Sequence, residues 1–206
     1  MSDHCCSVQS SVEHNHALKK VLWAVFAINA VMFLLEIIVG YLYHSTALMA
    51  DSLDMFSDAF VYGISIFVIA KSGSVKAKVS LIKGILMTTM AFYVIYELIT
   101  KISNPIVPEG QIIAGVGMLA FVANAVCLWL LFRHKDGDIN IRSAWVCSRN
   151  DMTANVGVIV AGVLVLYSGS QWPDYIIGVS VALLVLVSSF RVITDSLREL
   201  RSERKS

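Results

Sequence analysis

Charge is scarce in this chain: of 206 residues, only 15% are Asp, Glu, Lys or Arg, and the mean hydropathy is +0.72. A soluble domain of this size could not cover itself with polar groups while keeping 57% of its residues apolar, so its solvent is lipid. Proline is rarer still, with three residues, which leaves long stretches free to remain helical. A signal peptide is not expected either. Met1 to Ala17 is polar, and the apolar run from Val21 to Tyr43 is too long for an h-region and is followed by no small-residue cleavage site. The formal net charge of +1 gives no basis for binding nucleic acid or an anionic surface. The four cysteines do not make a secreted disulfide framework. Cys5 and Cys6 lie in the polar N-terminal tail and Cys127 and Cys147 in apolar stretches, so all four read as free thiols or metal ligands.

What the chain does have is apolar helix. A spanning helix needs about 20 apolar residues, and six segments qualify: Lys20–Tyr43, Thr46–Ala70, Val79–Lys101, Gln111–Phe132, Ser143–Ser168 and Tyr175–Ile193. Turn residues separate them in "KSGSVKAK", "NPIVPEG", "HKDGDIN" and "SGSQWPD". The expected fold is an all-α integral membrane protein with six transmembrane helices. Residues 1–18 form a flexible cytoplasmic tail, 19–198 the membrane domain and 199–206 a short basic tail. Lys19, Lys20, Lys71, Lys76, Lys78, Lys83, Arg133, Lys135, Arg142, Arg198, Arg201, Arg204 and Lys205 fall on one face, and Lys101 alone on the other. By the positive-inside rule both termini are cytoplasmic.

The few charges inside the spans stand out because each is costly there. Asp51, Asp54 and Asp58 lie at i, i+3 and i+7, one face of helix two. Cys147, Asp151 and Asn155 recur at i, i+4 and i+8 on helix five. Asp54 is about 12 Å into helix two and Asp151 about 13.5 Å beyond Arg142, at ~1.5 Å per residue. The two stripes, on helices of opposite direction, therefore meet near the middle of the bilayer. Asp54, Asp58, Cys147 and Asp151 then make a tetrahedral site for a divalent metal. Protons take these groups when the metal leaves, and that competition is the physical basis of an antiporter.

The other polar residues have plainer uses beside functional ones. Arg149 can pair with Asp151 or Asp58. Glu36 is structural or a proton relay, and Asp51 lines the outer vestibule or joins the ligands. Asn29 and Asn155 line a path or bond helices together, whereas Asn124 reads as interhelical glue. Glu97 snorkels, and Cys127 is a small hydrophobe. His4, Cys5, Cys6, His14 and His16 suit cytoplasmic capture of zinc or copper(I), although their spacing matches no closed structural site.

The stretch "NAVMFLLEIIVGYLYHSTALMADSLDMFSDA" resembles the first two helices of the cation diffusion facilitators, through Asn29, Phe33, Glu36, Gly40 and the acidic pair Asp54 and Asp58. "GDINIRSAWVCSRNDMTANVGVIVAG" is similar to that family's fourth connection and fifth helix, and the likeness runs from about His16 to Leu200. The resemblance implies a homodimer that exports Zn(II) or a neighbouring metal in exchange for protons by alternating access. It also implies that the central site falls on Asp54, Asp58, Cys147 and Asp151. Two departures stand out. The family usually has His where this chain has Cys147, and the softer thiolate favours Zn(II) or Cd(II) over Mn(II) and Fe(II). The family's usual C-terminal cytoplasmic domain is expected to be absent, which leaves any dimer to the transmembrane helices and the short basic tail.

The function expected is thus a proton-coupled antiporter exporting zinc, and also cadmium, from the cytoplasm. It is not an enzyme, it needs no catalytic cofactor, and its partners are lipid, divalent metal and protons. The compact build points to a bacterial inner membrane. The alternatives are a proton-coupled exporter of organic cations and an intramembrane metal-dependent hydrolase. The hydrolase finds no His in the membrane interior except His44, at an outer end.

Overall fold

In a computed structural model the described residues are 16–67, 73–132 and 139–203, with side chains described over 20–64, 77–132 and 151–201. They form six α-helices: α1 (His16–Leu42), α2 (Thr46–Phe67), α3 (Gly73–Ser103), α4 (Gly110–Phe132), α5 (Ile139–Ser168) and α6 (Trp172–Glu203). Several helices run past the apolar segments. Thus α3 starts within "KSGSVKAK", α5 within "HKDGDIN", and α6 continues through residue 198 to Glu203. Hydropathy marks only the part of a helix immersed in lipid, whereas the backbone ladder continues through polar residues into water.

Five helices are long and apolar enough to cross a membrane, over Lys20–Leu42, Ala77–Ser103, Gly110–Phe132, Asp151–Ser168 and Trp172–Arg201. The exception is α2, because every 18-residue window of it holds Asp51, Asp54 and Asp58. Its position in the bundle explains how it tolerates them. α2 packs against all five other helices, and none of its residues 46–64 is exposed. Large apolar side chains on the surrounding helices, such as Val31, Leu34, Ile99 and Leu184, are exposed and present the lipid-facing surface. The acidic helix is therefore kept out of hydrocarbon by a ring of apolar ones.

The start of α2 shows how that position is fixed. A helix leaves its first four backbone N–H groups unpaired, and here each finds an acceptor. Thr46 N donates to Asp174 Oδ2 at 2.6 Å and Ala47 N to Asp174 Oδ1 at 3.2 Å. Leu48 N donates to the Ser45 hydroxyl at 3.1 Å and Met49 N to the Ser45 carbonyl at 3.4 Å. Ser45 Oγ in turn donates to Asp174 Oδ1 at 2.6 Å. Ser45 is thus an ordinary N-cap, supplemented by a carboxylate from the first turn of α6. The approach of α6 depends on Gly178, where an added Cβ would lie 2.7 Å from the Thr46 carbonyl carbon. The turn from α1 passes through His44, whose φ of 58° is in the left-handed region usual for the residue after a helix C-terminus.

Elsewhere α1 pairs with α2, α3 with α6 and α4 with α5. The last pair relies on small residues, since a Cβ on Gly162 would fall 2.5 Å from Ala114 N. The α3–α6 pair is tied by Thr88 Oγ1 donating to Ser189 Oγ at 2.8 Å.

Two lysines counted above as charges at the membrane faces lie inside the bundle instead. Lys83 and Lys101 are buried, at 4% and 5% exposure. Both were expected within the third span, and the reason for their burial is the face of α3 they occupy, which packs against α2 and α6 rather than facing water. Lys101 Nζ lies 3.5 Å from Thr46 Oγ1, and its charge acts on Asp174. Lys83 acts on Asp54.

Candidate metal centre

The polar face of α2 meets α5 through a hydrogen bond at 2.7 Å, from Asn155 Nδ2 to Asp51 Oδ2. Asn155 Oδ1 accepts from Asn124 Nδ2 of α4 at 2.8 Å. All three side chains are buried, so this is a satisfied polar chain across three helices. It fixes the orientation of the Asn155 amide, with the donor end toward the carboxylate. Asp51 is therefore no vestibule residue. It is 1% exposed and held between helices.

That bond also sets the register of α5 against α2. Ala47 and Leu48 of α2 cluster with Val158 and Val165 of α5, so low numbers on one helix meet high numbers on the other and the two are antiparallel. Helix periodicity carried along from the Asp51–Asn155 bond pairs Asp54 with Asp151 one turn on, and Asp58 with position 147 one turn further. Asp58 is buried, and Asp54 and Asp151 are half-buried. Position 147 is helical, but the Cys147 and Arg149 side chains lie outside the described residues. Among the described residues no three His, Cys, Asp or Glu side chains come together closely enough to hold a metal. Asp54, Asp58 and Asp151 thus lie within about one turn of one another along the α2–α5 contact without forming a closed ligand set by themselves.

α1 supplies the other wall. Asn29 and Glu36 lie seven residues apart, on one face of that helix. Asn29 is buried and donates from Nδ2 to the Val25 carbonyl at 2.9 Å and to Cys127 Sγ at 3.7 Å. Glu36 is fully buried, at 0% exposure, and close enough to Asp51 and Asp54 for their charges to act on it. Cys127 sits among Leu22, Val25, Tyr62 and Leu131, as a small hydrophobe would, but Asp58 and Asp151 both act on its thiol. Sequence reasoning missed this neighbour, as it missed Lys83. The signal available was position: Cys127 lies three residues after Asn124, on the same face of α4.

The remaining expected residues are more remote. Glu97 is half-buried and accepts from the Tyr93 hydroxyl at 3.3 Å. His4, Cys5, Cys6 and His14 lie outside the described residues. His16 begins α1, and its side chain is not among those described.

Residues 22–201 match the family model of the cation efflux transmembrane domain. The chain is 30% identical over 204 residues to the cadmium, cobalt and zinc/H(+)-K(+) antiporter of Bacillus subtilis strain 168, a match covering 91% of this chain and 66% of that protein. It is 26% identical to the zinc transporter ZitB of Escherichia coli K12, over 91% of this chain and 64% of the relative. It is 23% identical to the metal cation efflux system protein CzcD of Cupriavidus metallidurans, over 92% of this chain and 64% of the relative. The chain thus spans about two thirds of the length of these relatives, all of which are named as transport proteins and none as an enzyme. With its apolar helices and a match over nearly its whole length, it is an integral membrane protein that belongs to the cation efflux transmembrane domain family.

Proposed function

We propose that this chain exports divalent metal, zinc and also cadmium, from the cytoplasm in exchange for protons by alternating access. Asp54 and Asp58 of α2 and Cys147 and Asp151 of α5 hold the ion. The observation that carries this reading is the burial of the acidic face of α2 at the centre of the bundle, in register with the Asp151 face of α5. Carboxylates placed there need a cation or protons to offset their desolvation. Either can serve, so one displaces the other. The relatives' names support metal as the cargo, and the Bacillus antiporter's name supports coupling to protons. In this reading both termini face the cytoplasm and two copies associate through their transmembrane helices.

The test is zinc uptake by proteoliposomes. Uptake should require a pH gradient and collapse when an ionophore dissipates it; gradient-independent uptake at the same rate would reject the exchange. Metal choice tests the ligand set. Replacing the thiolate by imidazole in Cys147→His should lower cadmium uptake relative to zinc by about tenfold, equivalent to ~1.4 kcal/mol. An unchanged ratio in competitive uptake would remove Cys147 from the site.

A further inference from the structure

Glu36 is the most exceptional side chain in the bundle. It is fully buried, at 0% exposure, and among the described residues neither carboxylate oxygen has a hydrogen-bond partner. The charges that act on it are those of Asp51 and Asp54, both of its own sign. The buried lysines act elsewhere, Lys83 on Asp54 and Lys101 on Asp174. Asn155 cannot serve Glu36 and Asp51 equally, because its donor end is turned to Asp51 and its acceptor end to Asn124. On the same face of α1, Asn29 presents another buried oxygen, Oδ1, that has no partner among the described residues. Among the described residues this wall of the bundle offers acceptors in excess of donors, which a cation would satisfy and their own hydrogen bonds do not.

We propose that Glu36 and Asp51 form a second cation station, built from oxygen donors alone, between α1 and the N-terminal half of α2. Two carboxylates match the charge of one divalent ion. Their hard oxygens accept magnesium- or manganese-like cations as well as zinc and cadmium. The station rests on the proposed function only in that a cation reaches this depth. Asp51 is about one helical turn, ~5 Å, from Asp54, so an ion moving along α2 passes directly between the two sites.

Cadmium NMR of the full chain in lipid nanodiscs separates them, because oxygen-only and thiolate-containing sites resonate far apart. At saturating cadmium, one oxygen-only resonance is expected beside one thiolate-containing resonance. Glu36→Gln, and independently Asp51→Asn, should remove the oxygen-only signal and leave the other. Asp58→Asn should do the reverse. No oxygen-only signal in the wild type, or its persistence in helical, monodisperse Glu36→Gln protein, overturns the station. A lone oxygen-only signal that Glu36→Gln abolishes would uphold the station and reject the Cys147 site.

Discussion

Asp58→Ala is expected to reduce zinc accumulation in proteoliposomes to the level of protein-free vesicles, with helical content retained. Asp58 is buried on the central helix, two turns from the Asp51–Asn155 bond that fixes the α2–α5 register. The Asp51–Asn155 bond does not involve Asp58, so the two helices are expected to keep their alignment in the variant while the ligand is lost. A four-ligand site stripped of one anionic donor holds its ion far less tightly, and it binds fewer protons in exchange. The pH dependence follows the same competition. Acidification should weaken zinc binding to the wild type, because protons and metal claim the same groups. The remaining weak binding of Asp58→Ala should respond less steeply to pH. Accumulation at the wild-type rate in Asp58→Ala would exclude this residue from the ligand set.

Asp174→Ala should have the largest effect on stability. This carboxylate receives Thr46 N, Ala47 N and the Ser45 hydroxyl, and its charge acts on the buried Lys101. Its removal leaves two N–H groups at the start of α2 without their acceptor and a buried lysine without its counter-charge. Breaking such an arrangement from one side costs roughly 3–5 kcal/mol, equivalent to about 6–20 °C in the unfolding midpoint of a chain this long. The midpoint in detergent measures it directly. Asp174→Asn keeps one acceptor oxygen and should fall between alanine and wild type. An unchanged midpoint in Asp174→Ala would show that the α2–α6 junction is held by packing alone, through Gly178.

The helices were legible because lipid leaves the backbone no other partner than itself, so an apolar run of sufficient length is helical almost by necessity. Their ends were less legible: α3 begins at Gly73 and α5 at Ile139, inside segments that read as turns, because turn residues near a helix start are compatible with its first turn as well as with a loop. Residue spacing placed Asp51, Asp54 and Asp58 on one face. It could not say what that face would meet. Asp51 read as a residue of an outer vestibule or as a further ligand and is buried and bonded to Asn155, while Lys83 and Lys101 looked like boundary charges and are buried. The Asp174 cap was not legible at all, for it joins residues about 128 positions apart in sequence.

The order of the chain therefore determined the helices, their number and the faces on which charge is concentrated, because those depend on local periodicity and on the medium. Tertiary structure alone decided which helix lies at the centre, which carboxylate is bonded and which is left bare, and where each lysine's charge is felt. Those outcomes depend on contacts between distant segments, and a sequence records the donors and acceptors without recording how they are paired.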